Sequence, residues 1–529
     1  MKRIVYSLFF VFAFLFIWNT DIENRTEAED AFEYAYQVEN NGHDWLYHPH
    51  HLLYGVITKD IYNGARLLGY SGRAYPLLRL ISALCGAGVV LMFFRFCYRR
   101  FSMRPVSSLL CSGLLLFSYG FWRYANEAEV IVPACLVMLC ALYVAVMPNQ
   151  TKCWSALAGV LCGVSVLFHV MNGVPVFVAV PLFYLFQKNL KGMLINAASA
   201  IAVVASGYIG VYWFESSRMF ASTGLSPSLS WSSLEKAFVG FSQCVASSNF
   251  MLGFQAVRDA LVRLFPSRML LEEIYMGQSL SRGSVLFAAL IMILLIFCFL
   301  GTTIFALRLL LRTGAERRRD RVGAAAGWQT LVVTIVWFGG YAGALLFLEP
   351  GNPEVWVMGL VPFWLAFCGL IVAPLSEQNV LWPVSLLVVL LGLHNYVGGI
   401  RPLQNPAGDY NRQKAEWILQ NATAADVILT ADNPVFERYL RYHSPAQVEY
   451  LHGWASDRLA SGGGLLQGRS EQGRLFLMGD VFFIPVSMTH RFPVSSALIG
   501  QFAMQVRPRA IPVHEDGFGG VYVLGTGGL

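Results

Sequence analysis

The stretch 285-VLFAALIMILLIFCFLGTTIFALRLLL-311 decides the fold, because no charge interrupts it before Arg308 and a basic run from Arg308 to Arg321 follows at once. An apolar run of roughly 20 residues is long enough to cross the hydrocarbon core. Only a helix satisfies its own backbone there. The same reading extends outward to the cores 89–96, 106–117, 130–147, 154–168, 173–186, 195–213, 330–348, 355–372 and 381–393, most of which can be lengthened to a full span. With 56% hydrophobic residues and 13% charged, and a mean hydropathy of +0.52, lipid must be the main solvent of this chain.

The segment 4–18 follows Lys2-Arg3 and is short enough for a cleaved leader. It runs into Trp18-Asn19-Thr20-Asp21 without a small-residue cleavage pattern, so it is read as a membrane anchor. About eleven transmembrane helices are therefore expected. Lys2-Arg3, the Arg99–Arg104 turn, Lys152, Lys188 with Lys191, and the 308–321 run fall on alternate connections, which assigns these to the cytoplasm and the C-terminus to the opposite side. The net charge of +6 belongs to this topology signal and implies no nucleic-acid partner. Nearly all ten cysteines sit in apolar spans or at cytoplasmic ends, with only Cys244 expected to be exposed outside, so no disulfide framework is implied.

Three long regions, 19–73, 215–282 and 398–529, fall on the outer side, and such asymmetry suggests chemistry or recognition there. Thr26-Glu27-Ala28-Glu29 is a capping-box pattern that opens a helix to about Asn40. On that helix Asp30, Glu33, Tyr34 and Gln37 share a face. Past His48-Pro49-His50-His51, the spacing of Leu53, Ile57, Ile61, Leu67 and Leu68 predicts a second helix lying on the membrane surface. The last region reads as a small α/β unit with helices over 412–420 and 435–442 and strands over 427–431, 448–451 and 475–478. Gly462-Gly463-Gly464 reads as a loop, and no tandem repeat is evident. The expected architecture is a polytopic α-helical membrane module over 1–397 and an extracytoplasmic α/β domain over 398–529.

Ionisable groups near membrane depth need an explanation, because each is costly in lipid. Glu27 and Glu29 fit an ordinary acidic helix start. Asp30 and Glu33 lie deeper and, with Tyr34, could line a site. Arg123, Glu127 and Glu129 follow the third span, either as an exposed turn or as an orienting set for a cation or a sugar. His43, His48, His50 and His51 have poor spacing for a tetrahedral zinc site and lack a nearby cysteine, so they read as hydrogen-bonding groups for a polar ligand or headgroup. His169 with Asn172 forms a polar pair at a span end, for which helix-end capping is the plain alternative. In the Glu349–Trp356 turn, Glu354 suits the start of the next helix, and the same turn would aim Asn352 and Glu354 into a cavity. Asn421-Ala422-Thr423 matches a glycosylation sequon.

Asp30-Ala31-Phe32-Glu33-Tyr34 followed by His48-Pro49 and Leu52-Leu53-Tyr54 resembles the first loop of membrane glycosyltransferases of the GT-C superfold, in the branch related to protein O-mannosyltransferases. Phe121-Trp122 with Glu129-Val130, and Phe168-His169 with Asn172, are similar to further motifs of that branch, so the likeness covers chiefly the first 190 residues. Where the branch carries a second proline and glycines after His-Pro, this chain has His50, His51 and Leu52.

The resemblance implies a polyprenyl-phosphate-linked sugar as donor and a hydroxyl on a protein, lipid or glycan as acceptor, within a bacterial inner membrane and with the C-terminal domain periplasmic. It further implies inversion at the anomeric carbon with Asp30 as general base, Glu33, His48 and Glu129 orienting the reactants, and Arg123 stabilising the departing phosphate. No particular cofactor is implied. A divalent ion could lie between carboxylates, although the Asp-x-Asp pair that argues for one is absent. The rival readings are a surface-polysaccharide polymerase or ligase centred on Arg258–Arg282, a lipid-linked substrate transporter, which would more often show inverted repeats, and a receptor.

Overall fold

The computed structural model describes residues 2–25, 29–147, 151–215, 231–264, 271–313, 322–348, 350–373, 381–454, 459 and 473–524. The residues Thr26, Glu27, Ala28 and Glu349 and the glycine run 462–464, on which expectations were placed, lie outside that set. The chain divides into two compact units, one formed by Met1–Asp21, Gln37–Ser248 and Leu286–Ile400, the other by Ile22–Tyr36, Asn249–Val285 and Arg401–Leu529.

The first unit is helical and membrane-embedded in character. Among the described residues, six helices are long and apolar enough to cross a bilayer: Ala74–Arg100, Leu190–Trp213, Arg282–Arg308, Gly327–Phe347, Pro353–Val372 and Leu381–Leu403. Shorter apolar helices include Ile4–Asn19, Pro105–Leu116, Ile131–Ala145, Lys152–Phe168 and Val170–Phe186. Large apolar side chains such as Leu286, Phe297 and Trp382 point away from the protein, as lipid-facing groups do. The helix Leu52–Leu67 is amphipathic, burying Leu52, Tyr54, Thr58 and Tyr62, and it ends on the strongly exposed pair Leu67-Leu68.

Within lipid the driving force between helices is close packing and internal hydrogen bonding. Gly159 and Gly163, four residues apart, allow the helices Lys152–Phe168 and Leu190–Glu215 to touch, since a Cβ at Gly159 would meet the Asn196 carbonyl oxygen at 2.3 Å. Asn395 closes another contact by donating to the carbonyls of Phe117 (2.7 Å) and Val245 (2.9 Å) and accepting from the Ser247 amide at 2.8 Å. His394 bonds the Ser247 carbonyl at 2.9 Å beside it. Cys244, expected outside and exposed, is instead fully buried against Gly120. The amphipathic helix Trp231–Val245 turns that face into the helical unit, where a thiol behaves as a small hydrophobe.

Among the described residues, the second unit holds a five-stranded sheet in the order β2-β1-β3-β5-β4. Strands β1 (Val427–Thr430), β2 (Gln447–Tyr450) and β3 (Leu475–Met478) are parallel, while β5 (Gly519–Leu524) runs antiparallel to both β3 and β4 (Ala510–Asp516). All four residues of central β1 are buried, as a strand covered on both faces requires. Helices Tyr410–Asn421, Pro434–His443 and Pro493–Val506 accompany the sheet. The hairpin β4–β5 and the last of these helices were not expected from sequence. Edge strand β4 carries Pro512 and a register shift near His514, and most of its residues are exposed, so it lacks the apolar alternation that announces a strand.

Lys414 pins the sheet unit from inside. Its ammonium lies between Asp432, which follows β1, and Asp480, which follows β3 at 2.7 Å. Asp480 also accepts from the Ala431 amide at 2.6 Å and the Thr430 hydroxyl at 3.1 Å. Burial opposes the lysine charge, but the two carboxylates outweigh it and hold its pKa above the ordinary lysine value.

Candidate active site

In the second unit, the helix Glu29–Asn40 presents Asp30 and Glu33 to the helix Pro434–His443. Asp30 Oδ1 accepts from Arg438 Nη1 at 2.5 Å, and Glu33 is bonded to Arg441 Nη2. Both pairs are separated by 408 residues in sequence, so carboxylates three residues apart meet arginines three residues apart, in register. Phe32 sits among Tyr439, Tyr442 and His443 with ring centroids 5.2, 5.6 and 5.4 Å away. Arg441 also reaches Glu437 at 3.1 Å and lies 5.0 Å from the Tyr36 ring. Burial raises the Glu437 carboxyl, with Arg441 pulling the other way and Glu33 adding to the rise. Tyr34 is buried in this packing.

Asp30 remains 40% exposed, whereas Glu33 is 19% exposed. The difference separates their chemistry: a reactant can reach Asp30 past its arginine more readily than it can reach Glu33. Neither arginine was singled out in the sequence. The available signal was Arg438-Tyr439-Leu440-Arg441 on a strongly amphipathic helix, which repeats the spacing of Asp30 and Glu33.

The first unit contains a second polar constellation. Arg123 and Glu127 are fully buried and paired at 2.7 Å, and Tyr75 donates its phenolic hydrogen to the other Glu127 oxygen. Glu127 and Glu129 therefore do not form an exposed turn: Glu129 is also buried, and its backbone carbonyl accepts from Ser82 at 3.3 Å. Tyr54, on the helix Leu52–Leu67, is buried close enough to feel both acids. Burial first, then Glu129, Cys85 and Glu127, push its phenol well above the ordinary tyrosine value.

Four histidines gather beside this helix. The rings of His48 and His51 stack with centroids 4.2 Å apart, and His48 and His50 meet edge to face at 5.1 Å. The loop is anchored by the Val170 amide donating to the His50 carbonyl at 2.8 Å and by the Tyr208 hydroxyl donating to the Pro49 carbonyl at 2.7 Å. Burial, then His48, His169 and His50, lower the His51 pKa well below the usual value, so this imidazole is neutral at pH 7. His169 accepts from the Met171 amide at 3.3 Å.

Asn172 is occupied structurally, donating to the Ser165 carbonyl at 2.9 Å and accepting from Tyr341. Asn352 caps the helix Pro353–Phe367, its side-chain oxygen accepting from the Glu354 amide at 3.0 Å. A cavity of about 450 Å³ opens beside the helix Leu52–Leu67, lined by Glu39, Lys59, Tyr62, Asn63, Arg66 and Leu67. Lys59 donates to the Val38 carbonyl at 2.6 Å, and Glu39 is held by a two-pronged bond from Arg73. Sequence reading passed over this cavity because Lys59 and Arg66 look like the ordinary polar face of an amphipathic helix.

No family model and no curated protein matches the chain. Among solved structures the chain shows a likeness in fold. The likeness is to ArnT from Cupriavidus metallidurans bound to undecaprenyl phosphate, with a TM-score of 0.54 and 12% identity over 99% of this chain and 98% of that one. Archaeal oligosaccharyltransferase AglB from Archaeoglobus fulgidus, in complex with an inhibitory peptide and a dolichol-phosphate, is more distant at a TM-score of 0.47 and 11% identity over 99% of this chain and 75% of that one.

Proposed function

We propose that this protein is a membrane glycosyltransferase that moves a sugar from a polyprenyl-phosphate donor to an acceptor hydroxyl at the extracytoplasmic face. The fold likeness supports the class, and fold alone does not set activity. The observation that carries the reading further is the pair of carboxylates Asp30 and Glu33, fixed in orientation by Arg438 and Arg441.

Asp30, the more exposed acid, is the general base. It takes the proton of the acceptor hydroxyl as that oxygen attacks the anomeric carbon. The bond from that carbon to the phosphate oxygen breaks on the opposite face, the configuration inverts, and the lipid phosphate leaves with the electron pair. A positioned base of this kind contributes about 10²- to 10⁴-fold in rate. Glu33, tied to Arg441, positions the helix that carries Asp30.

The cavity lined by Lys59 and Arg66 supports binding of an anionic headgroup, and the neighbouring Leu67-Leu68 pair supports contact with acyl or prenyl chain. His48, His50, Glu129 and His169 belong to the constellation that would orient sugar and acceptor. Arg123, buried against Glu127, holds that constellation in place rather than meeting the phosphate directly. The protein O-mannosyltransferase-like branch and a bacterial inner membrane location remain part of the proposal. The polymerase reading is less favoured, because Arg258 donates to the Leu252 carbonyl at 2.5 Å.

The test is transfer from radiolabelled polyprenyl-phosphate sugars in membranes containing the wild-type chain or Asp30→Asn. Loss of transfer at equal protein level is expected. Equal rates would remove Asp30 from the mechanism, and no transfer by wild type from any donor sugar would remove the glycosyltransferase reading itself.

A further inference from the structure

Three cysteines that sugar transfer does not use converge inside the first unit. Cys97 lies near the end of the helix Ala74–Arg100, Cys111 on Pro105–Leu116, and Cys368 at the start of the π-helical turn Cys368–Val372. Their sulfurs all lie within 4.8 Å of one another, and all three residues are completely buried. Tertiary packing alone assembles them, because each comes from a different element.

The backbone supplies a second, independent observation. The helix Pro353–Phe367 widens at Cys368, where the Ala373 amide bonds to the Cys368 carbonyl across five residues. Such π-turns are rare and concentrate at functional sites. This one begins at the residue that contributes the third sulfur.

The spacing suits an ion at the centre of a triangle. A metal–sulfur bond of about 2.3 Å places the sulfurs of a trigonal set roughly 4 Å apart, a small adjustment from the observed grouping. Among the described residues, no fourth His, Cys, Asp or Glu belongs to the group, which leaves tetrahedral zinc one protein ligand short. Soft thiolates without a fourth donor favour Cu(I). The turn joining Cys97 to Cys111 carries Arg99, Arg100 and Arg104, whose positive field offsets the excess charge of three thiolates around a monovalent ion. The charge distribution assigns this turn to the cytoplasm, a compartment that keeps thiols reduced.

We propose that Cys97, Cys111 and Cys368 form a three-thiolate site for a single Cu(I) ion, separate from the sugar-transfer chemistry. The ion enters already reduced. Three metal–sulfur bonds form, the thiol protons pass to solvent, and no electron is transferred.

The experiment uses the full chain purified in detergent under anaerobic conditions and titrated with Cu(I) in competition with bicinchoninate. One tight equivalent is expected for wild type, retained in Cys153→Ser, whose thiol is exposed, and lost in the triple variant Cys97→Ala/Cys111→Ala/Cys368→Ala. X-ray absorption on the loaded wild-type chain needs no variant to fold and should read a shell of three sulfurs. Absence of a tight equivalent in wild type, its survival in the triple variant, or a shell of two or four sulfurs would each overturn the site.

Discussion

Arg438 Nη1 lies 2.5 Å from Asp30 Oδ1, across 408 residues of chain. The carboxylate that sequence patterning singled out is thus paired with a guanidinium of the same unit, and the next turn repeats the arrangement with Glu33 and Arg441. Asp30→Asn is expected to lower transfer by about 10²- to 10⁴-fold, the worth of a general base. Arg438→Ala should lower it less, with Arg438→Lys recovering part of the loss, because in the proposed mechanism the arginine orients the base and does not itself take the proton. Initial rates at saturating donor check this, and an Arg438→Ala rate as low as that of Asp30→Asn would move the arginine into the reaction itself.

Arg123 and Glu127 make a prediction about stability rather than rate. Removing one member of a fully buried ion pair strands the other charge and typically costs 3–5 kcal/mol, so Arg123→Ala should unfold the chain in detergent at markedly lower temperature. The double variant Arg123→Met/Glu127→Gln should recover much of that loss. Thermal unfolding followed by intrinsic fluorescence distinguishes the cases. An Arg123→Ala chain of wild-type stability but without transfer would instead favour direct contact with the leaving phosphate.

His51 predicts a pH dependence. Its folded pKa lies well below its unfolded value of about 6.5, so below that pH the unfolded chain binds more protons than the folded one. Stability should therefore fall as the solution is acidified from pH 7 towards pH 5, and continue to fall until the folded pKa is reached. His51→Phe, which keeps a buried ring beside His48 and Tyr54, should flatten part of that slope. Unfolding temperatures at several pH values measure it, and an unchanged slope in the variant would mean that other groups carry the acid sensitivity.

Lys414 supplies the opposite sign. Its pKa is higher in the folded protein than in the unfolded chain, so its contribution is complete below the unfolded value of about 10.5 and is lost only as pH rises through the higher folded value. Across pH 5–8 the contribution should therefore be constant. Lys414→Met leaves Asp432 and Asp480 buried together without their cation and should cost about 3–5 kcal/mol at neutral pH. Loss of protease resistance in the fragment around β1 and β3 reads this out. A fully resistant Lys414→Met chain would show that the two acids share a proton at little cost.

Much of the fold was legible because lipid makes a simple demand on sequence. A run such as 285–307, with no charge, can only be a helix in hydrocarbon. The small parallel strands β1 and β3 were legible for a related reason: as largely buried strands they open on the apolar runs Val427-Ile428-Leu429 and Leu475-Phe476-Leu477-Met478. The hairpin Ala510–Leu524 was not, since its edge strand is mostly exposed and interrupted by Pro512. Burial of Cys244 was missed because an amphipathic helix announces that it has an apolar face but not what covers it.

The sequence by itself determined a polytopic membrane chain and drew attention to Asp30, Glu33 and the histidine run, because hydropathy, charge placement and helical spacing are local properties. Only the tertiary structure decided that Asp30 faces Arg438, that Arg123 is spent on Glu127, and that three cysteines from three elements meet. Those relationships depend on which helix packs against which. Packing partners are selected by the closest fit of whole surfaces and the need to satisfy every buried charge, neither of which leaves a signature at fixed spacing along the chain.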